Sequence, residues 1–295
     1  MAGVVGVEPT PTVLETGTLP LRHTPMCLLI LSHGSPFYKP KFMKSLDYDL
    51  YLKQRKKIGS GSRATIYLWQ DYAYKYYGDN YLQFWIDHEY EVQKQIINTN
   101  LNVARFYETS FEKTIKMDYI EGETISNLLL KDNSNKIFEL FMKEFNKIHE
   151  IKNLDLDDLS SFLIQQINKS RVSNKQKELG LEYLNIINNV DEDNVLCHMD
   201  YHFLNTMYDG NKIYVLDWFD GKNGKKILDF ARTYVLIYQY GKEYKEIYLN
   251  RILNDYGYSK ELFKKAVYIN AINRLQNFDN EQMQTLMHLI EEDKW

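Results

Sequence analysis

Five residues that could carry chemistry, His198, Asp200, His202, Asn205 and Asp217, lie within one short stretch with apolar residues at both ends. Two carboxylates and an amide that converge can hold a hard divalent cation and leave one carboxylate free as a base. Their convergence follows from the local pattern. Asp209-Gly210-Asn211 is a turn signal, and beyond it Ile213, Val215 and Asp217 alternate with Tyr214 and Leu216. Residues 206–208 and 212–217 therefore read as a β-hairpin. Asn205 then falls opposite Val215 or a residue next to it, close to Asp217 at the open end, with Asp200 five residues upstream. The same stretch permits a different chemistry: His198, Asp200 and His202, with Asp217 added, form a zinc donor set of the kind used by metal hydrolases.

Three features upstream bear on the choice. Gly59 and Gly61 stand between two apolar runs with Ser60 and Ser62. A glycine-rich turn between strands lets backbone N–H groups approach phosphate oxygens, and an ordinary hairpin has the same look. Lys75 is the only cation in the aromatic strand 71–77. Residues 82–98 have helical spacing, with Ile86, Tyr90 and Ile97 near one face and Glu89 between them. A lysine paired with a carboxylate on the next helix has a fixed ammonium with which to grip phosphates. Glu89 and Glu91 are both candidates for that carboxylate.

The elements that would position these groups can be read in order. A strand-like pattern starts at Tyr48, and further strands follow at 103–107 and 114–120, before a turn at Glu121-Gly122-Glu123-Thr124. Helices are expected at 136–149, with Phe141, Phe145 and Ile148 on its buried stripe, and at 162–169 and 176–188. Asp155, Asp157 and Asp158 form an acidic start to one of them, and His149 reads as a core or capping histidine. After the hairpin, residues 218–224 read as a loop. Residues 227–237 form an apolar helix interrupted by Asp229 and Arg232, charges that need buried partners. Helices at 243–255, 260–277 and 280–292 complete the chain.

At 295 residues the chain can bury a large core in one domain or two lobes. Its net charge of −4 leaves no overall basic surface for nucleic acid. Two cysteines, Cys27 and Cys197, make no disulfide framework, which points to a reducing, cytoplasmic setting. The apolar run at 26–31 is too short for a membrane span. All six prolines fall within residues 1–40, and none follows Met43. Residues 1–42 are read as a disordered or non-native extension, against the alternative of a packing arm.

In their order along the chain, the Gly59 to Gly61 turn, Lys75, Glu89, His198-x-Asp200-x4-Asn205, Asp217 and Asp229 resemble the eukaryotic-like kinases. The details are most similar to the aminoglycoside phosphotransferase and choline kinase superfamily. Leu196-Cys-His-Met-Asp-Tyr-His202 resembles its His-Gly-Asp-x-His segment, Val215-Leu-Asp-Trp218 its Ile-Asp-Trp, and Leu228-Asp-Phe-Ala-Arg-Thr233 its Asp-x-Ala-Arg. The resemblance implies an α+β, protein-kinase-like bilobal fold. A small β-rich N-lobe with one helix (43–120) would bind nucleotide, and a larger, mainly helical C-lobe (121–295) would hold the catalytic and acceptor groups. It implies an ATP- and Mg2+-dependent phosphotransferase acting on a small-molecule hydroxyl. Asp200 would be the base and Asn205 and Asp217 the magnesium ligands. Lys75, set by Glu89, would hold the α- and β-phosphates under the Gly59, Ser60, Gly61, Ser62 loop. The backbone at Asp118, Tyr119 and Ile120 would receive adenine. Asp229 would brace the catalytic loop, with His198 as scaffold.

Two positions depart from the pattern. Met199 stands where the family has glycine, and Phe219 follows Trp218 where protein kinases have the glycine of Asp-Phe-Gly. The first reshapes the surroundings of the base; the second argues against a protein kinase. A nucleotide-binding protein without turnover and the His/Asp hydrolase are the alternatives. For the acceptor, Asp155, Asp157, Asp158, the acidic end at 291–293, and Trp218 with Phe219 are candidate walls of a pocket for a cation; amino alcohols, aminoglycosides and sugars all remain open.

Overall fold

The protein is described by a computed structural model over residues 46–131, 135–275 and 280–291, so the 1–42 extension, Met43 and the end of the 291–293 acidic run fall outside the described residues. Helix α1 (Leu46–Gln54) leads into β1 (Lys56–Ser60), β2 (Thr65–Trp69) and β3 (Tyr72–Tyr76). Helix α2 (Gln83–Ile96), β4 (Phe106–Tyr107) and β5 (Thr114–Asp118) follow. The five strands make one antiparallel sheet in the order β1-β2-β3-β5-β4.

Strand alternation gives this sheet two different faces. On one, Tyr74 packs with Trp69, Phe111 and Tyr51, the last contributed by α1. On the other, Lys75 and Tyr77 meet α2. The strand expected from Tyr48 is thus a helix. The Tyr48, Leu50, Leu52 alternation that mimics a strand is overridden by burial of Tyr51, 1% exposed, among five aromatic rings. Two acidic residues in the first turn and Lys53 in the last favour the helix as well.

After Asp118 the chain enters the helical part through β6 (Glu123–Thr124), followed by α3 (Ile125–Lys131), α4 (Asn135–His149), α5 (Leu159–Lys169) and α6 (Asn174–Asn188). Then come β7 (Val195–Cys197), β8 (Thr206–Tyr208), β9 (Ile213–Val215) and β10 (Lys222–Gly224). Helices α7 (Lys226–Tyr240), α8 (Lys245–Tyr256), α9 (Lys260–Leu275) and α10 (Asn280–Glu291) finish it. The expected turn at residues 121–124 is instead half strand: β6 pairs with β8 and so joins the hairpin β8-β9. Gly122 is required there, since a Cβ would stand 2.5 Å from the Tyr208 carbonyl oxygen. The expected loop at 218–224 contains a single 3-10 turn, Trp218–Asp220, and then β10, which pairs with β7.

The main core lies under these short strands. Phe141 and Phe145 of α4 stack on Tyr201, whose hydroxyl donates to the Phe141 carbonyl at 2.7 Å. Asp158 caps α5, accepting from Ser161 N at 2.7 Å, as the acidic start predicts. Among the described residues no helix is long and apolar enough to cross a membrane.

Candidate active site

The loop between β7 and β8 carries His198, Asp200, His202 and Asn205, and Asp229 on α7 fixes its start. Asp229 is fully buried and accepts the Met199 N–H at 2.8 Å on Oδ1. Its Oδ2 takes the His198 N–H at 2.7 Å and lies 3.0 Å from His149 Nε2. One carboxylate thereby satisfies two loop amides and the histidine at the end of α4, which explains an acid in so apolar a helix. Met199 is held at φ +62°, a left-handed conformation that a side chain resists by about 1–2 kcal/mol.

The hairpin register pairs Thr206 with Val215, so Asn205 sits opposite Leu216, whose N–H donates to the Asn205 carbonyl at 2.9 Å. Asn205 Nδ2 donates to the Asp200 carbonyl at 3.0 Å and to Asp200 Oδ2 at 3.1 Å. Asp217 follows in the left-handed region at φ +59°. Its Oδ1 lies 3.1 Å from Lys75 Nζ, and Lys75 also contacts Glu89 Oε1 at 2.7 Å. Glu89 is 2% exposed and takes the Tyr77 hydroxyl on its other oxygen. Glu91, the competing partner, is exposed and pairs with Lys94 at 2.5 Å.

Each charge is shaped by its neighbours. Burial disfavours the Lys75 ammonium, but Asp217 and Glu89 outweigh it and hold its pKa well above the ordinary lysine value. Burial likewise opposes the Asp200 and Asp217 carboxylates. His202, with Arg232 and Arg274, overcomes it at Asp200, and Lys75 does so at Asp217, so both are held below the usual carboxylate range. Asp200 is therefore ionised at neutral pH.

The free oxygens match what a hard cation needs. Asn205 spends its NH2 on Asp200 and keeps Oδ1, while Asp217 spends Oδ1 on Lys75 and keeps Oδ2. In the turn at Gly61, the Gly61 N–H meets the Ala64 carbonyl at 2.8 Å. A Cβ on Gly59 or Gly61 would find nothing nearer than 3.7 Å, so the protein's own packing does not require either glycine. Past the loop, Arg63 reaches Asp220 at 3.5 Å and lies 4.3 Å from the Phe219 ring centroid. At the end of β5 the Asp118 side chain is taken by Arg105 N at 2.9 Å and the Tyr107 hydroxyl at 2.7 Å. Its N–H goes to the Arg105 carbonyl, so at Asp118, the first of the three residues expected to face adenine, the amide is already spent.

The zinc arrangement is not formed. His198 is buried, with Nε2 3.0 Å from the Leu216 carbonyl and Nδ1 accepting the Asp200 N–H at 3.2 Å, so both ring nitrogens are occupied. Among the described residues no three His, Cys, Asp or Glu side chains gather as a metal site. Among the described residues, four of the candidate walls of a cationic pocket are engaged elsewhere. Asp158 is a helix cap, Asp157 faces Lys222 at 3.8 Å, Asp155 lines a groove against α2, and Trp218 is buried. Sequence reasoning missed Arg63, although it adjoins the glycine turn, and missed the tie between His149 and Asp229, which no local spacing reveals.

Residues 113–265, just over half of the chain, match the sequence model of the phosphotransferase enzyme family, APH. No curated protein sequence matches. Among solved structures, a thermostable aminoglycoside phosphotransferase APH(4)-Ia with ADP and hygromycin B superposes with a TM-score of 0.63 at 12% identity, over 85% of this chain and 100% of that one. An ADP-bound APH(2'')-Ib gives 0.56 at 18%, over 84% and 97%. A Plasmodium vivax ethanolamine kinase gives 0.57 at 15%, over 80% of each. At such identities the likeness establishes the protein-kinase-like fold.

Proposed function

The chain belongs to the phosphotransferase enzyme family, and from that premise we propose that it transfers the γ-phosphoryl group of ATP, with Mg2+, to a hydroxyl of a small molecule. The observation that carries this reading is the single cluster in which Lys75 bridges Glu89 and Asp217 beside the Asp200 and Asn205 pair. Similar solved structures hold nucleotide, and two of them pair nucleotide with hygromycin B in variants that lack an aspartate or the asparagine five residues beyond it, the spacing of Asp200 and Asn205.

In this reading Lys75, locked by two carboxylates, grips the α- and β-phosphates, and the glycine turn, with open space at Gly59 and Gly61, closes over them. Tyr119 and Ile120 offer backbone groups to adenine. Asn205 Oδ1 and Asp217 Oδ2 would hold Mg2+, which neutralises phosphate charge when bound. Contacts on Asp200 Oδ2 leave Oδ1 for the acceptor hydroxyl. As the acceptor oxygen bonds to the γ-phosphorus and the bond to the β-phosphate oxygen breaks, releasing ADP, the hydroxyl proton passes to Asp200. An ionised aspartate is a weak base, but a loose transition state asks little of it until the new bond forms.

The test compares Mg2+-dependent ATP consumption by the wild type and Asp200→Asn across amino alcohols, aminoglycosides, sugars and hydroxy acids. Turnover should fall by about 100-fold or more in the variant while ATP still raises the melting temperature. Equal turnover in the two proteins would refute the assignment.

A further inference from the structure

Asp217 has a backbone conformation that its surroundings must impose. Its φ of +59° lies in the left-handed region, which a side chain resists, so the chain on either side has to hold it there. Upstream the hairpin does this. The Val215 N–H donates to the Asn102 carbonyl at 3.0 Å and the Leu216 N–H to the Asn205 carbonyl at 2.9 Å. Downstream the task falls to the 3-10 turn Trp218–Asp220. Trp218 is buried, its indole N–H donates to the Val215 carbonyl at 3.1 Å, and its own carbonyl accepts the Gly221 N–H at 2.9 Å.

A further hold on that turn comes from a different element. His88 Nε2 of α2 lies 3.1 Å from the Phe219 carbonyl oxygen. A carbonyl can only accept, so Nε2 carries the proton and donates it. The rings reinforce the contact, with His88 and Trp85 at 5.1 and 5.8 Å from Phe219 between centroids. One helical turn further along α2, Val92 packs so closely that a Cβ on Gly221 would stand 3.2 Å from its Cγ1. The residue after His88 is Glu89, the partner of Lys75 at 2.7 Å. Two consecutive residues of α2 therefore serve both halves of the site: Glu89 holds the lysine, and His88 holds the turn that follows Asp217.

We propose that His88 is a positioning residue for the metal, whose hydrogen bond to the Phe219 carbonyl keeps Asp217 in its left-handed conformation and so tightens the binding of nucleotide with Mg2+. The inference rests on the phosphotransferase reading and deepens its metal half. It also gives a use to Phe219, the residue that stands where protein kinases have glycine: its ring packs against the helix that supplies the donor.

The experiment measures binding of a non-hydrolysable ATP analogue by calorimetry, with and without Mg2+. Wild type is compared with His88→Phe, which keeps a ring but no donor, with His88→Asn, whose amide is too short to reach the carbonyl, and with His88→Gln, which keeps a donor near the place of Nε2. Circular dichroism checks the fold of each. The Phe and Asn variants should bind the analogue about three- to tenfold more weakly than wild type when Mg2+ is present and equally well when it is absent. The Gln variant should recover most of the loss. A variant that merely loosened α2 would displace Glu89 and Lys75 and weaken binding under both conditions, and that result would overturn the proposal. So would an undiminished effect of Mg2+ in the Phe and Asn variants, or a wild type that binds the analogue with no effect of Mg2+. Failure of the wild type to bind the analogue under either condition would instead overturn the phosphotransferase reading, and this proposal with it.

Discussion

Met199 offers a direct measurement of how firmly the loop between β7 and β8 is held. It is 3% exposed and sits at φ +62°. The backbone on either side is anchored, its N–H by Asp229 at 2.8 Å and its carbonyl by Arg232 at 3.0 Å. Met199→Ala removes a buried side chain at a cost of about 2–5 kcal/mol and keeps a Cβ in a left-handed residue. Met199→Gly loses the same packing but releases about 1–2 kcal/mol of that conformational cost. Against this stands the greater freedom of glycine in the unfolded chain, about 0.5–1 kcal/mol. The glycine variant should therefore be more stable than the alanine variant by about 0.5–1 kcal/mol, the reverse of their order in a helix. Side-by-side thermal melts should separate the two by about 1–3 °C. An alanine variant that melts at or above the glycine variant would refute the reasoning, because the anchors would then not impose a left-handed residue in solution.

Other perturbations follow from the same geometry. Glu89→Ala leaves the Lys75 ammonium without its closest partner, so stability should drop by about 3 kcal/mol in denaturant titrations, and the KM for ATP should rise; a drop no larger than that from Glu91→Ala would contradict the pairing. Tyr51→Ala opens the aromatic cluster under α1, and the melt should show a loss of about 3–5 kcal/mol. Asp200 and Asp217 have lowered folded pKa values, so their contribution to stability is fully present above the unfolded value of about 3.9 and is lost as pH falls toward the folded values. Acid titration of wild type and Asp200→Asn should converge only below that point, and a divergence that already closes near neutrality would count against it.

The chemistry was more legible than its supports. Asp200, Asn205 and Asp217 come together because a turn at Asp209-Gly210-Asn211 and an alternating strand specify the register locally. Lys75 was visible as the single cation of an aromatic strand, and its choice of Glu89 over Glu91 needed the helix phase. Helix α1 hid behind its alternating tyrosine and leucines, since two turns of helix carry too little periodicity to outvote a strand pattern. Strands β6 and β10 are two and three residues long and exist only through partners 85 and 25 positions away in register, Glu123 with Tyr208 and Lys222 with Cys197. The acidic residues near 155–158 read as a pocket because sequence shows charge without showing what the charge is spent on. Arg232 was legible as a charge requiring a partner; that its Nε is spent on the Met199 carbonyl, and not on a carboxylate, is a fact of three dimensions.

The pairing of β6 with β8 has a mechanical consequence. One end of the connection between sheet and helices is riveted to the β8-β9 hairpin, with Gly122 wedged against Tyr208, and the other is tied into β5 through Asp118. Only Tyr119, Ile120 and Glu121 remain to act as a pivot. Any rocking of the sheet against the hairpin would bend those three peptides and strain a second tie, at Asn102, whose carbonyl accepts the Val215 N–H at 3.0 Å.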